Sequence, residues 1–162
     1  MENQKHTISA LVENRSGVLA KISGLFSARG YNIDSLAVGA TENPDVSRMT
    51  IVVKGDESIL EQVTKQLNKL PDVITVKDFK ETDFVERDLM LVRVKADKKV
   101  RPEIMEIAGI FRSKIVDVAQ NTVMIEVTGD ENKLQAFIEL MKPYSIKELA
   151  RTGVIALERG GK

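Results

Sequence analysis

The two halves of this 162-residue sequence resemble each other, and that internal repeat constrains the fold more strongly than any other feature. The triplet Gly24-Leu25-Phe26 recurs as Gly109-Ile110-Phe111. A second pattern also recurs, in which Ile51, Val53, Gly55, Asp56, Glu57 and Leu60 match Ile125, Val127, Gly129, Asp130, Glu131 and Leu134. Internal similarity of this kind is typical of a duplicated structural unit. We therefore expect two domains of one fold rather than a single large core.

Each half alternates strand-like and helix-like segments in the order β-α-β-β-α-β. The strand-like segments alternate apolar and polar residues, and they cover residues 7–12, 31–41, 48–54, 73–79, 89–96, 115–118 and 123–128, with a closing strand within 146–157. The helix-like segments place apolar side chains along one face, and they cover residues 17–29, 57–70, a stretch opened by Pro102, and 132–141. This order predicts an α+β fold of two tandem ferredoxin-like sandwiches, each with its helices on one face of an antiparallel sheet.

The charged stretch between the halves predicts where one domain ends and the next begins. We assign residues 1–80 to the first domain, 81–88 to a linker and 89–162 to the second domain. Within each domain an acidic pair precedes the second helix, at Asp56-Glu57 and at Asp130-Glu131. Because the amino end of a helix attracts negative charge, we interpret these carboxylates as helix caps rather than catalytic groups.

Charge and composition argue against several classes of function. Lys plus Arg number 24 and Asp plus Glu number 24, whereas a nucleic-acid-binding domain usually has a basic face. The central strands of both halves also lack an aromatic residue that could stack on a base. The sequence has no cysteine, and its one histidine, His6, is expected to be exposed and neutral, so a histidine triad or a two-histidine metal site has no candidates. No apolar run approaches the roughly 20 residues of a membrane span. We expect a soluble, cytoplasmic protein with no catalytic residue and no metal site.

The loop between the first strand and the first helix has the composition of a ligand-binding turn. Its sequence is Glu13-Asn14-Arg15-Ser16-Gly17-Val18-Leu19. Free N–H groups at a helix start attract a carboxylate, Gly17 lets a ligand approach the backbone, and Asn14 offers both a donor and an acceptor. A small amino acid requires that combination. The alternative is that Asn14 or Ser16 caps the helix, and the residues alone favour it because capping sequences are common.

Several segments together resemble a known family. They are residues 11–19, residues 24–36, Ser47-Arg48-Met49-Thr50-Ile51, residues 85–91 and Ala150-Arg151-Thr152-Gly153-Val154. These segments are similar to the ACT domain and, more narrowly, to the small regulatory subunits of acetolactate synthase (acetohydroxyacid synthase), over essentially the whole chain. The resemblance implies an N-terminal ACT domain followed by an ACT-like C-terminal domain.

This resemblance implies a regulatory chain that carries no active site and no cofactor of its own. Its partner would be the large catalytic subunit, which would hold thiamine diphosphate, Mg²⁺ and FAD and convert pyruvate to 2-acetolactate. The small subunit would activate that partner and confer feedback inhibition by valine, with leucine or isoleucine as further effectors, in branched-chain amino-acid biosynthesis. Two alternatives stay open, a free-standing ACT-type amino-acid sensor of another enzyme and an unrelated nucleic-acid module, although neither explains the matches in the second half.

The family also implies where the amino acid binds, namely between two ACT domains of a homodimer. The loop would come from one protomer and the start of the second strand from its partner. The residues at matching positions of this sequence are Asn14, Arg15, Ser16, Gly17, Val18, Leu19, Asn32 and Ile33. Asn32 would hold the polar end of the effector, with Leu19 and Ile33 facing its side chain. Taken alone, Asn32 is also explained as a turn residue after a helix, but with Asn14 and Asn32 both at family positions we favour the binding role.

Overall fold

The computed structural model describes residues 4–160 and contains the β-α-β-β-α-β order twice. The first set of elements is β1 (Lys5–Glu13), α1 (Val18–Arg29), β2 (Asn32–Ala40), β3 (Val46–Lys54), α2 (Glu57–Asn68) and β4 (Val73–Asp78). The second set is β5 (Phe84–Lys95), α3 (Arg101–Ile110), β6 (Lys114–Val118), β7 (Thr122–Gly129), α4 (Glu131–Met141), a 3₁₀ turn (Lys142–Tyr144) and β8 (Ile146–Arg151), and β9 (Ile155–Glu158) follows. The predicted fold class of two tandem ferredoxin-like units is confirmed.

In the first unit, four antiparallel strands form a sheet in the order β2-β3-β1-β4. β1 and β3 pair along their whole length, from Lys5 opposite Lys54 to Glu13 opposite Val46. Alternate residues of these strands face the helices and are buried with them, and this core contains Ile8, Ala10, Val12, Val18, Ile22, Phe26, Met49, Ile51, Val53, Leu60, Val63 and Leu67. The opposite face of the sheet, here called the outer face, carries the other alternate residues.

The second unit repeats this design with the strand order β6-β7-β5-β8. Its core consists of Met90, Val92, Val94, Ala96, Ile104, Ala108, Val123, Ile125, Val127, Leu134, Phe137 and Met141. Strand alternation and helical spacing therefore select the buried residues in both halves by the same rule.

The described chain divides into two compact units, residues 4–85 with 154–160, and residues 86–153. This division differs from the boundaries expected from the sequence. β5 begins at Phe84, inside the expected linker, and Asp88 in that linker is buried. In place of one closing strand there are two, β8 and β9, and β9 belongs to the first unit.

The aspartates expected to cap helices do so. The side chain of Asp56 accepts a hydrogen bond from the N–H of Ile59, and Asp130 accepts one from the N–H of Lys133. Both predictions are confirmed because the cap depends on local sequence alone. Within residues 4–160, no helix is long and apolar enough to cross a membrane.

The expectation that His6 is exposed is wrong. Only 5% of the residue is exposed, and Nε2 donates a hydrogen bond to the carbonyl oxygen of Gly55 at 3.1 Å. The even-numbered positions of β1 face the core, as Ile8 and Ala10 do, and the same alternation carries His6 inward. His6 therefore satisfies a backbone acceptor near the end of β3.

Candidate functional site

Residues 13–17, here called the β1–α1 loop, are held by hydrogen bonds to two neighbouring segments. The N–H of Glu13 donates to the carbonyl oxygen of Asp72 at 2.9 Å, and the N–H of Asn14 donates to that of Asp45 at 2.8 Å. The side chain of Asn14 adds a third bond, from Nδ2 to the carbonyl oxygen of Pro44 at 2.8 Å. The loop is thus fixed on both sides, although residues 14–17 remain exposed.

The helix that follows this loop starts without a side-chain cap. Gly17 occupies the N-cap position with φ of 88°, a left-handed conformation that glycine adopts at little cost. No side chain caps the helix there, and the first turn contains no acidic residue. The alternative interpretation of Asn14 and Ser16 as caps is therefore not supported. The N–H of Val18 donates to the carbonyl oxygen of Arg15 at 3.4 Å, and no side chain neutralises the positive dipole end of α1 within its first turn.

A buried carboxylate that the sequence analysis did not single out anchors the loop. Asp72 is 3% exposed, and it accepts hydrogen bonds from Arg15 and from Lys21, the latter at 2.9 Å. The hydrogen bond from Lys21 is the largest influence on the pKa of Asp72, and together with Arg15 it outweighs desolvation and lowers that pKa. Arg15 also forms an ion pair with Glu13. Arg15 is therefore bound within its own chain, at the base of the loop.

Sequence reasoning missed Asp72 because the residue follows Pro71, where an aspartate is ordinary turn chemistry. Its partners lie more than fifty positions away, at Arg15 and Lys21. The sequence offered one signal for it. Arg15 and Lys21 lie in or near the loop, and Glu13 is the one acidic residue close to them in sequence.

We expect Asp72→Asn to destabilise the first unit at neutral pH and to do so much less in acid. The folded-state pKa of Asp72 lies below its ordinary value of 3.8, so its ion pairs contribute stability above that value and lose it as pH falls through the lowered pKa. Urea unfolding of both proteins at pH 7 and pH 3 measures the difference. The exposed Asp45→Asn is the control, and it should change little at either pH. An Asp72→Asn effect that is independent of pH would exclude the ion pairs as its source.

The remaining predicted site residues lie at the start of β2. Asn32 is exposed at the first position of the strand, and Ile33 is half-buried against the core of the first unit. The pairing of β2 with β3 shifts register between Ile33 and Ser35. Asp34, at the shift, forms ion pairs with Lys54 at 3.2 Å and with Lys5 at 3.1 Å. Burial raises the pKa of Asp34, but the hydrogen bonds and charges of both lysines outweigh it and the net pKa is lowered.

The two groups of predicted site residues lie at opposite ends of one sheet. Asn32 pairs with Lys54, and Lys54 pairs with Lys5 at the start of β1, whereas Asn14 follows Glu13 at the end of β1. At about 3.4 Å per residue, the two ends of this nine-residue strand are roughly 27 Å apart. The β1–α1 loop and the start of β2 therefore do not meet around one small molecule within a single chain.

Side chains next to the loop differ in what they offer a ligand. Val18 is 5% exposed and packs in the core, so that its backbone alone borders the loop. Leu19 is 46% exposed on the first turn of α1.

A concavity in the first unit lies elsewhere, along α2 and residues 78–81, and none of the predicted effector residues lines it. Among residues 4–160, no three His, Asp or Glu side chains are grouped to hold a metal ion.

Comparison with known protein families classifies both units. Residues 8–75 match the family described as the AHAS small subunit-like ACT domain. Residues 87–160 match the family described as the small subunit of acetolactate synthase. The first unit, whose strand order is that of a ferredoxin-like sandwich, is thus an ACT domain.

Similarity to individual proteins extends over the whole length of the chain. A probable acetolactate synthase small subunit of Archaeoglobus fulgidus is 58% identical over 158 residues, which cover 98% of this chain and 99% of that protein. The acetolactate synthase small subunit of Mycolicibacterium smegmatis is 52% identical over 96% of this chain and 91% of its own length. The crystal structure of the Thermotoga maritima acetolactate synthase small subunit superimposes with a TM-score of 0.87 at 42% identity, covering 96% of this chain and 98% of that one. The chain belongs to the acetolactate synthase small subunit family.

Proposed function

We propose that this chain binds the large catalytic subunit of acetolactate synthase in the cytoplasm, activates it, and makes it sensitive to inhibition by valine, with leucine and isoleucine as related effectors. Thiamine diphosphate, Mg²⁺ and FAD belong to the large subunit in this proposal, and the chain itself supplies no catalytic group. Its contribution is a regulatory amino-acid site formed by Asn14, Ser16, Gly17, Leu19, Asn32 and Ile33. The observation that supports the proposal is that the loop residues and the residues at the start of β2 lie at opposite ends of one sheet, so that a second copy of the chain is needed to complete the site.

A homodimer through β2 joins the two separated groups. β2 is an edge strand, so a second copy can pair with it in antiparallel fashion. Such pairing places the start of β2, at Asn32, level with the end of the partner's β2, at Ala40. Ala40 pairs with Ser47, and Ser47 pairs with Val12, immediately before the β1–α1 loop. Two-fold symmetry therefore creates two equivalent sites, each with the loop of one protomer and the β2 start of the other.

Each composite site has groups suited to an aliphatic amino acid. The uncapped start of α1 donates N–H groups to the carboxylate of the effector. The amide of Asn32 supplies an oxygen for the ammonium group. The exposed part of Leu19 and the half-buried Ile33 provide apolar surface for a branched side chain. A charged side chain on the effector would find no counter-ion among these residues, which favours valine and its aliphatic relatives.

Binding between protomers gives the effector a direct means of regulation. An amino acid that contacts both copies stabilises one arrangement of the dimer over others. If the large subunit is activated by a different arrangement, valine lowers activity by shifting the population of dimers. A coupling free energy of about 1–3 kcal/mol is typical of such responses.

Reconstitution with an acetolactate synthase large subunit tests the proposed function. We expect addition of this chain to raise the rate of acetolactate formation several-fold, and L-valine to reverse the increase while D-valine does not. Asn32→Ala should still activate but should lose most of the valine response, because it removes the polar contact and leaves the fold intact. Asn132→Ala, an exposed asparagine on α4, is the matched control and should behave as the wild type. Valine binding without any complex with the large subunit would instead indicate a free-standing sensor.

A further inference from the structure

Residues 154–158, here called the C-terminal segment, cross the outer face of the first sheet. At one end, the N–H of Val154 donates to Oγ of Ser35 on β2 at 3.0 Å. At the other end, Glu158 forms an ion pair with Lys77 on β4. β2 and β4 are the two edge strands of the sheet. Five extended residues span about 14 Å, which is also the width of three strand spacings, so the segment reaches from one edge to the other.

Side chains of the C-terminal segment alternate between buried and exposed, and its strand β9 also pairs with β5. Val154 and Ala156 are 4% and 3% exposed, whereas Ile155 and Leu157 are 57% and 59% exposed. Val154 and Ala156 thus form the buried face by which the segment is docked.

The outer face of the sheet has small side chains at the positions that the segment crosses. Ser35 pairs with Val52 across β2 and β3, and Ser9 pairs with Lys77 across β1 and β4. Ser9, Thr50 and Val52 on this face are 2%, 1% and 3% exposed. Small hydroxyl side chains permit close approach of a backbone and can accept its N–H groups, as Ser35 does.

Ser35 also lies next to the effector residues of β2. It follows Asn32 and Ile33 in β2 with Asp34 between them, at the point where the register of the strand shifts. A bulge of this kind re-aims the side chains beside it, so its conformation decides where Asn32 points. The hydrogen bond from Val154 therefore acts on the residue that ends the shift.

From this geometry we propose that docking of the C-terminal segment on Ser35 and effector binding at the start of β2 strengthen one another. This inference rests on the proposed function and adds a route of regulation to the same site. Ser35 is a positioning residue, because it acts through the conformation of Asn32 and Ile33. The segment follows Gly153, which has φ of 87°, and Arg151 and Thr152, which are held by Asp88 in the second unit. The effector region is in this way joined through the backbone to the second unit.

Calorimetric titration of the full chain with L-valine tests the coupling. Ala156→Glu places a charge on the docked face of the segment, and we expect the dissociation constant to rise about tenfold, within the range typical of allosteric coupling. Ile155→Glu puts the same charge on the exposed face of the same segment and should leave the dissociation constant unchanged. Ser35→Ala removes the acceptor for Val154 and should raise the constant about threefold, which keeps the test decisive if Ala156→Glu does not fold.

Hydrogen exchange supplies the reciprocal measurement. Because coupling between two binding equilibria is mutual, saturating L-valine should slow exchange of the Val154 amide by a factor comparable to the affinity lost in Ala156→Glu. One result would contradict the coupling alone. In it, the wild type and Ala156→Glu bind valine equally well although the Val154 amide of the variant exchanges rapidly, and the proposal of an effector site is then retained. If the wild type binds no aliphatic amino acid, the proposed effector function itself is overturned, whatever the exchange rate of Val154.

Discussion

Gly17→Asp is expected to raise the dissociation constant for valine by more than about 100-fold while the first unit stays folded. The new carboxylate lies at the start of α1, where the carboxylate of the effector is expected to bind. It competes for the same N–H groups and repels a second negative charge, and like charges in contact cost several kcal/mol. Since 1.4 kcal/mol corresponds to a factor of ten, a cost of about 3 kcal/mol gives the expected loss.

The structure leaves room for this side chain. No atom lies within 4 Å of the position that a Cβ on Gly17 would occupy. The cost of the substitution comes from the left-handed backbone, with φ of 88°, and is about 1–2 kcal/mol for an ordinary residue. Asp and Asn tolerate this conformation better than other side chains, so the folded state should persist.

Gly17→Asn is the matched control for charge. It has the same shape and the same backbone cost as Gly17→Asp but carries no negative charge. We expect both variants to show the same decrease in melting temperature, and calorimetry to find a severe loss of valine binding in Gly17→Asp alone. An equal loss in both variants would mean that the glycine backbone, not the charge, is required. Binding of valine to Gly17→Asp with wild-type affinity would move the effector site away from the β1–α1 loop.

Structural features that depend on residues close together in the sequence could be predicted from it. Alternation along β1 identified the buried residues Ile8, Ala10 and Val12, and the local cap chemistry of Asp56 and Asp130 identified two helix starts. The expectation for His6 was wrong because it followed from the polar residue type, whereas the alternation of β1 places this position in the core. Periodicity in a repeated sequence therefore determines the fold class reliably, even where a single polar residue departs from expectation.

Contacts between distant residues could not be predicted in the same way. Asp72 holds Arg15 from 57 positions away, and Val154 bonds to Ser35 from 119 positions away. No local pattern marks such partners, because a turn aspartate and a strand serine are common residue types. The β1–α1 loop could be proposed as part of a binding site from its composition. The start of β2, at Asn32, could be assigned to the same site only from the family resemblance, since the two groups lie at opposite ends of the sheet.

A buried ion pair in the second unit should have a large effect on stability. Asp88 is 1% exposed and accepts hydrogen bonds from Nε and Nη2 of Arg151, at 2.9 and 2.6 Å, and from Oγ1 of Thr152 at 3.1 Å. Arg151→Met removes the cation but leaves the carboxylate in the interior with one hydroxyl donor. An uncompensated buried charge of this kind costs about 3–5 kcal/mol, and the partial exposure of Arg151 places the expected loss near 3 kcal/mol. Denaturant unfolding of the full chain measures it, with the exposed Arg87→Met on β5 as a control that should change little.

The double variant Asp88→Leu/Arg151→Met separates the cost of an isolated charge from the value of the pair. Replacing a buried ion pair by apolar residues of similar size is often neutral, because the desolvation of both charges is avoided. We therefore expect the double variant to recover most of the stability that Arg151→Met loses, although Thr152 then lacks its carboxylate acceptor. With the single variant Asp88→Leu also measured, the coupling free energy of the complete double-mutant cycle should be large and opposite in sign to the loss in Arg151→Met. If the double variant is as unstable as Arg151→Met, the loss comes from the packing of the arginine side chain, and the charge of Asp88 is not what requires a partner.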